Sequence, residues 1–153
     1  MTTGISRDLV KAYFQACISR DAARIARYLD DDVTWTCAGP IDLLSFCGEH
    51  RGKAAVLDTI VRLGPSVIKP TNMDFEEILI DGDRAATFMR LSAILVATGR
   101  TVSYRCAQYL RFRDNKLVEF RALIDSFDAA EQVLGHPIDV APQKPARHNL
   151  VML

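Results

Sequence analysis

Residues 100–125 read RTVSYRCAQYLRFRDNKLVEFRALID. Two runs rich in Val, Tyr, Leu and Phe, each alternating apolar with polar residues, flank Asp114-Asn115, a pair that tolerates positive φ in a tight turn. That pattern predicts a long β-hairpin. Toward the N-terminus, RAATFMRLSAILVA (84–97) and FEEILI (75–80) carry further strand signals, separated by TG and DGD. Four strands joined by short turns predict an antiparallel meander. Strand 84–97 is nearly apolar on both faces, with Phe88, Ile94 and Val96 alternating with Met89, Leu91, Ala93 and Leu95. One face packs on the domain's own helices, and the other needs cover. A symmetric homodimer through the back of the sheet is the simplest cover.

The first half of the chain reads as helical. Ile5, Leu9, Tyr13 and Ala16/Cys17 recur at helical spacing. Asp21 fits the N-cap of a second short helix carrying Ile25, Tyr28 and Leu29, which Asp30-Asp31-Asp32 ends. VTWTC (33–37) predicts a short strand, AGPIDLLSFCGEHRG (38–52) a partly buried loop, and KAAVLDTIVRL (53–63) a helix stopped by Gly64-Pro65. A last helical turn fits Asp128 to Leu134, before Gly135. Helices followed by a meander make an α+β domain over residues 1–135. The remainder, HPIDVAPQKPARHNLVML (136–153), has three prolines and no period, which predicts an extended C-terminal tail whose NLVML end is free or docks on a neighbour.

Composition narrows the function classes. Nineteen basic residues balance nineteen acidic ones among 153, so no net positive field draws nucleic acid or anionic lipid. No stretch approaches the ~18 consecutive apolar residues of a membrane span, and MTTGISRDLVKAYFQAC lacks the apolar core of a secretory leader. Cys17, Cys37, Cys47 and Cys106 are scattered with no CxxC pair, which fits core thiols in a reduced, cytoplasmic setting. The three histidines have no metal-ligand spacing, and no glycine-rich phosphate loop is present. Neither a metal nor an organic cofactor is expected.

Four stretches carry a family resemblance: AYFQACISRDAARIARYLDDDVTW (12–35), SFCGEHRGKAAV (45–56), GDRAATFMRL (82–91) and TGRTVSYRCAQYLRFRDNKLVEFRALIDSFD (98–128). Through them the chain resembles the SnoaL-like polyketide cyclases and ketosteroid isomerase-like proteins of the nuclear transport factor 2-like superfamily, over about residues 5 to 134. The resemblance implies a cone-shaped α+β barrel, its N-terminal helices packed in a curved antiparallel sheet that encloses a pocket. It does not imply one reaction, because the superfamily hosts isomerases, cyclases, dehydratases, epoxide hydrolases and non-catalytic binders.

The site residues follow from the same resemblance. Asp125 falls where related cyclases and epoxide hydrolases carry an Asp that projects into the pocket, and apolar surroundings there would tune a carboxyl for proton transfer. The alternative is a strand-end Asp that caps the next helix. Arg90 matches the arginine of the epoxide hydrolase pattern and would orient Asp125, although Ser92 replaces that pattern's second carboxylate; otherwise Arg90 is a rim residue. Tyr13 and Gln108 fall at the enolate-donor positions of ketosteroid isomerases, or are a core tyrosine and an edge amide. Cys37 takes the place of the isomerase base, where a thiol is a poor proton acceptor. Trp35 and Phe46 are expected at the pocket entrance, Phe88 against the substrate, and His50 either as a second proton-transfer group or as a surface cap.

The reading that unites these residues is acid/base chemistry of isomerase, cyclase or dehydratase type on a small hydrophobic carbonyl compound, with Asp125 as proton acceptor. Its alternatives are non-catalytic binding of a lipophilic metabolite and a dimeric interaction module with a vestigial pocket.

Overall fold

The computed structural model describes residues 4–142, so the NLVML segment lies outside the described residues. Helix α1 (Arg7–Ser19) starts where the Ser6 hydroxyl accepts the Leu9 N–H at 3.1 Å, and it ends at Arg20 in the left-handed region at φ 57°. Its buried stripe is Val10, Tyr13, Phe14 and Ala16, one step round from the expected line through Leu9. Asp21 caps α2 (Ala22–Ala26) as anticipated, its carboxylate accepting the Arg24 N–H at 3.1 Å. The acidic triplet does not terminate a helix. It opens β1 (Leu29–Ala38), with Asp31 paired to Lys53 at 2.8 Å and Asp30 to Arg113 at 3.0 Å.

Within the segment expected to be loop, Gly48–Arg51 forms a short strand, β2, on the edge of β1. Helix α3 (Lys53–Asp58) then widens into a π-helical turn over Thr59–Leu63 and continues as α4 (Gly64–Val67), past the Gly64-Pro65 expected to stop it. The π turn explains the difference. Pro65 has no N–H, and its ring would crowd a carbonyl of the preceding turn in a regular helix. Here the Gly64 N–H instead reaches back five residues to the Thr59 carbonyl. A Cβ on residue 64 would stand 3.1 Å from that oxygen, so glycine keeps the approach open.

The remaining strands are β3 (Ile68–Asp81), β4 (Arg84–Leu95), β5 (Thr101–Arg113) and β6 (Lys116–Ile124), followed by α5 (Ser126–Leu134). Asp114 and Asn115 both take positive φ, 51° and 60°, in the turn that the opening hairpin requires. The sheet order is β2-β1-β6-β5-β4-β3. The meander is antiparallel as expected, but β1 runs parallel to β6, so the sheet is mixed and open, with β2 and β3 at its edges. Register shifts in β3 between Pro70 and Asn72 and between Phe75 and Glu77 bend the sheet around the helices.

The concave face holds the core, where Tyr13 and Phe14 of α1 meet Phe75, Phe120 and Trp35. This is the α+β, cone-shaped architecture expected. Among the described residues, no helix is long and apolar enough to cross a membrane.

Candidate functional site

A cavity of about 160 Å³ lies between the concave sheet face and the helices. Strand alternation builds its walls, because every second residue of a strand faces the same side. β5 supplies Tyr104, Cys106 and Gln108, β6 supplies Phe120, Ala122 and Ile124, and β1 supplies Trp35 and Cys37. Leu91 of β4 and Met73 of β3 extend the apolar wall, and Phe46 reaches in from the loop before β2. On the helical side, the wall includes Thr59, Ile60, Gly64 and Pro65, so the π turn shapes the cavity as well as accommodating the proline. Exposed Ile18 and Arg20 at the end of α1 mark the mouth.

The wall is almost free of charge. Arg20 is its one ionised side chain, and no carboxylate or imidazole belongs to it among the described residues. Burial pushes the Cys106 thiol up to about 12, and Cys17 likewise to about 12. Cys37 touches Cys47 at 3.8 Å between sulfurs, and that contact, with burial, holds its thiol well above the ordinary range. Tyr104 is raised as well, first by burial and then by the neighbouring Cys106, Cys37 and Cys47. All of these groups are neutral near pH 7.

Polar groups do reach the cavity. The Thr87 hydroxyl, itself buried, donates to the Gln108 Oε1 at 2.7 Å, which fixes the amide and leaves its NH₂ for a ligand. Tyr104 is fully buried, and its hydroxyl has no hydrogen-bond partner. An unpaired buried hydroxyl costs about 1–3 kcal/mol.

Of the residues singled out from sequence, Trp35, Cys37, Phe46 and Gln108 line the cavity. Asp125 does not. Ala122 and Ile124 face inward, so Leu123 and Asp125 fall on the opposite parity, and both are exposed. Asp125 occupies the N-cap position of α5, where its carbonyl accepts the Ala129 N–H at 2.9 Å, yet its carboxylate makes no capping bond. Arg90 lies on the convex face, with Asp74 and Arg105 as its cross-strand partners, instead of beside a pocket carboxylate. Phe88 shares that outward parity and is 55% exposed, so it does not meet a ligand in the cavity.

Tyr13 is buried behind the wall. Burial, first, and the neighbouring Cys17 raise its hydroxyl well above its ordinary value. His50 stands 5.6 Å from the Trp35 ring and bonds through Nε2 to the Phe46 carbonyl at 3.1 Å, holding two wall residues without reaching the cavity itself. Tyr104 and Cys106 escaped the sequence reading. The signal was available: stepping back from Gln108 by two and by four along β5 names both.

Among the described residues, no group of three His, Cys, Asp or Glu side chains is arranged to hold a metal ion.

Comparison with known proteins agrees with this architecture. Residues 10–120 match the family model described as a SnoaL-like domain. A candidate isomerase from Rhodopseudomonas palustris is 29% identical, with a TM-score of 0.79 over 86% of this chain and 100% of its own. A candidate isomerase from Bacillus subtilis superimposes with a TM-score of 0.69 at 14% identity, over 84% of this chain and 91% of its own. A hypothetical protein with a ketosteroid isomerase-like fold from Catenulispora acidiphila, in complex with trimethylamine, gives 0.69 at 13% identity, over 90% of this chain and 100% of its own. No curated protein sequence matches the chain significantly.

Proposed function

The chain belongs to the SnoaL-like family of the nuclear transport factor 2-like superfamily, and from that premise we propose that it binds a small, uncharged, apolar molecule in the sheet-lined cavity. The observation that carries this reading is the wall itself: aromatic, aliphatic and thiol groups, the neutral polar side chains of Thr59, Tyr104 and Gln108, Arg20 alone as a charge at the mouth, and no carboxylate or imidazole among the described residues. Apolar surroundings of this kind favour neutral ligands, because a charge would lose its hydration without gaining a counter-charge. Trp35 is the single tryptophan of the chain and lies on the wall, so its fluorescence reports occupancy. Titration with indane is expected to give saturable one-to-one quenching, with affinity on the order of 0.1 mM for a ligand of this size. Absence of saturation would contradict the reading.

A second reading, isomerase-type proton transfer on a carbonyl compound, draws on the 29% identity to the candidate isomerase over that protein's full length. In its sequence-derived form it gives Asp125 the proton, but Asp125 stands on the outer side of the β6–α5 junction. The two readings predict different results for Asp125→Asn. Under the binding reading, indane affinity stays within twofold of wild type, and the α-hydrogens of 1-indanone exchange in D₂O at the uncatalysed rate with either protein. Catalysed exchange that disappears in Asp125→Asn would establish the acid/base reading instead.

The convex face calls for a partner of its own, and we propose a second copy of the chain. Phe88, Ala107 and Leu123 are cross-strand neighbours on β4, β5 and β6, and Phe88 and Leu123 are 55% and 62% exposed. Arginines 90, 105 and 121 and acidic Asp74, Glu76 and Glu119 surround this row, so a two-fold pairing can set opposite charges together at its rim. Sedimentation should show a dimer that Leu123→Glu converts to monomer, since two carboxylates would be buried against apolar surface. A monomeric wild type would refute it.

A further inference from the structure

The donor that the α1 helix was expected to offer does not belong to the wall: Tyr13 is buried behind it. Tyr104 is in the opposite situation. It lies on the wall, it is 0% exposed, and its hydroxyl is the one buried side-chain nitrogen or oxygen without a partner among the described residues. We propose that Tyr104 is the specificity-determining donor of the cavity, selecting among small apolar molecules those that carry an uncharged carbonyl oxygen. This inference rests on the binding reading above and adds to it the class of ligand.

Three features support the assignment. The thiols of Cys106 and Cys37 share the wall with Tyr104 and are weak acceptors, and no group among the described residues takes the phenolic proton. Burial keeps the phenol protonated and therefore a donor. No cation other than Arg20 at the mouth belongs to the wall, so a carboxylate or phosphate would enter without a counter-charge, whereas a carbonyl enters neutral and gains a hydrogen bond.

Gln108 does not duplicate this role. It lies four residues along the same strand face, about 13 Å from Cα to Cα by strand rise, and its amide is held by the Thr87 hydroxyl. Discrimination of this kind is strong when a site's buried polar group is left unpaired by the wrong ligand.

The test uses a pair on one carbon skeleton, indane and 1-indanone, which differ by the carbonyl oxygen, titrated against Trp35 fluorescence in the wild type and in Tyr104→Phe. The ratio of indane Kd to 1-indanone Kd is expected to fall about tenfold on Tyr104→Phe, while indane affinity changes less than twofold. An unchanged ratio with indane binding intact would overturn the role of Tyr104 and leave the cavity reading standing. Failure of the wild type to bind either molecule would overturn both.

Should Tyr104→Phe not fold, the wild type still gives an answer. The carbonyl stretch of bound 1-indanone is expected to shift to lower frequency than in hexane, as a hydrogen-bonded ketone does. A stretch at the hexane position would overturn the proposal.

Discussion

Phe120→Ala is expected to remove about 3–5 kcal/mol of stability, the range for truncating a buried aromatic side chain. Phe120 stands on β6 at the meeting point of the helices and the sheet. Its ring stacks on Trp35 at 5.1 Å with an interplanar angle of 10°, and it meets Tyr13 at 6.3 Å and Phe14 at 6.4 Å. Removing it leaves three aromatic neighbours without a packing partner and merges the new void with the existing cavity, so the surroundings cannot collapse to fill it. Domains of this size hold about 5–15 kcal/mol in total, so the loss is a large share. Urea denaturation should show the midpoint falling with little change in slope. A loss below about 1 kcal/mol would mean that this cluster does not anchor the helices to the sheet.

Ala122→Phe should act in the opposite sense, on binding and not on the fold. Ala122 is buried on β6 between Phe120 and Ile124, and its methyl faces the cavity. A benzyl group there projects into a space of about 160 Å³ that otherwise receives the ligand. Overpacking a filled core costs about 1–3 kcal/mol, but here part of the added volume occupies existing space, so the cost falls at or below the low end. Indane affinity is expected to drop at least a hundredfold, with the circular dichroism spectrum unchanged. Retained affinity would place the binding site elsewhere.

Much of the fold was readable because the relevant signals are local. Asp114-Asn115 announced its turn through residues that accept positive φ, and Asp21 announced α2 through a side chain that can accept the Arg24 N–H. What escaped depended on distant partners. Nothing local to VTWTC says that its strand lies parallel to β6, since alternation defines a strand's faces but not its neighbours. The four polar and small residues of β2 carry no strand pattern of their own and are ordered by β1. The helix passed Pro65 because a π turn, invisible in hydrophobic periodicity, removed the clash.

The site shows the same division. Of the residues singled out from sequence, Gln108, Trp35, Cys37 and Phe46 face the cavity. Asp125 was placed there by resemblance, although parity argued otherwise: Ile124 faces inward, so the next residue along the strand points away. For Arg90 and Phe88 a guide existed as well: Arg84 and Ser92 share their parity, whereas Ala85, Met89, Leu91, Ala93 and Leu95 make the alternate face the apolar one that meets the helices. Tyr104 went unnoticed because a tyrosine on a strand usually hydrogen-bonds its hydroxyl, and the lack of a partner becomes visible only in three dimensions.

The central claim is that the concave cavity, and not the exposed apolar row on the other side of the sheet, receives the ligand. Intermolecular nuclear Overhauser effects from bound indane locate it directly. The account predicts contacts to the methyl groups of Ile60, Leu91, Ala122 and Ile124, which share the cavity wall. Contacts instead to Phe88, Leu79 and Leu123, which are exposed on or near the convex face, would contradict it.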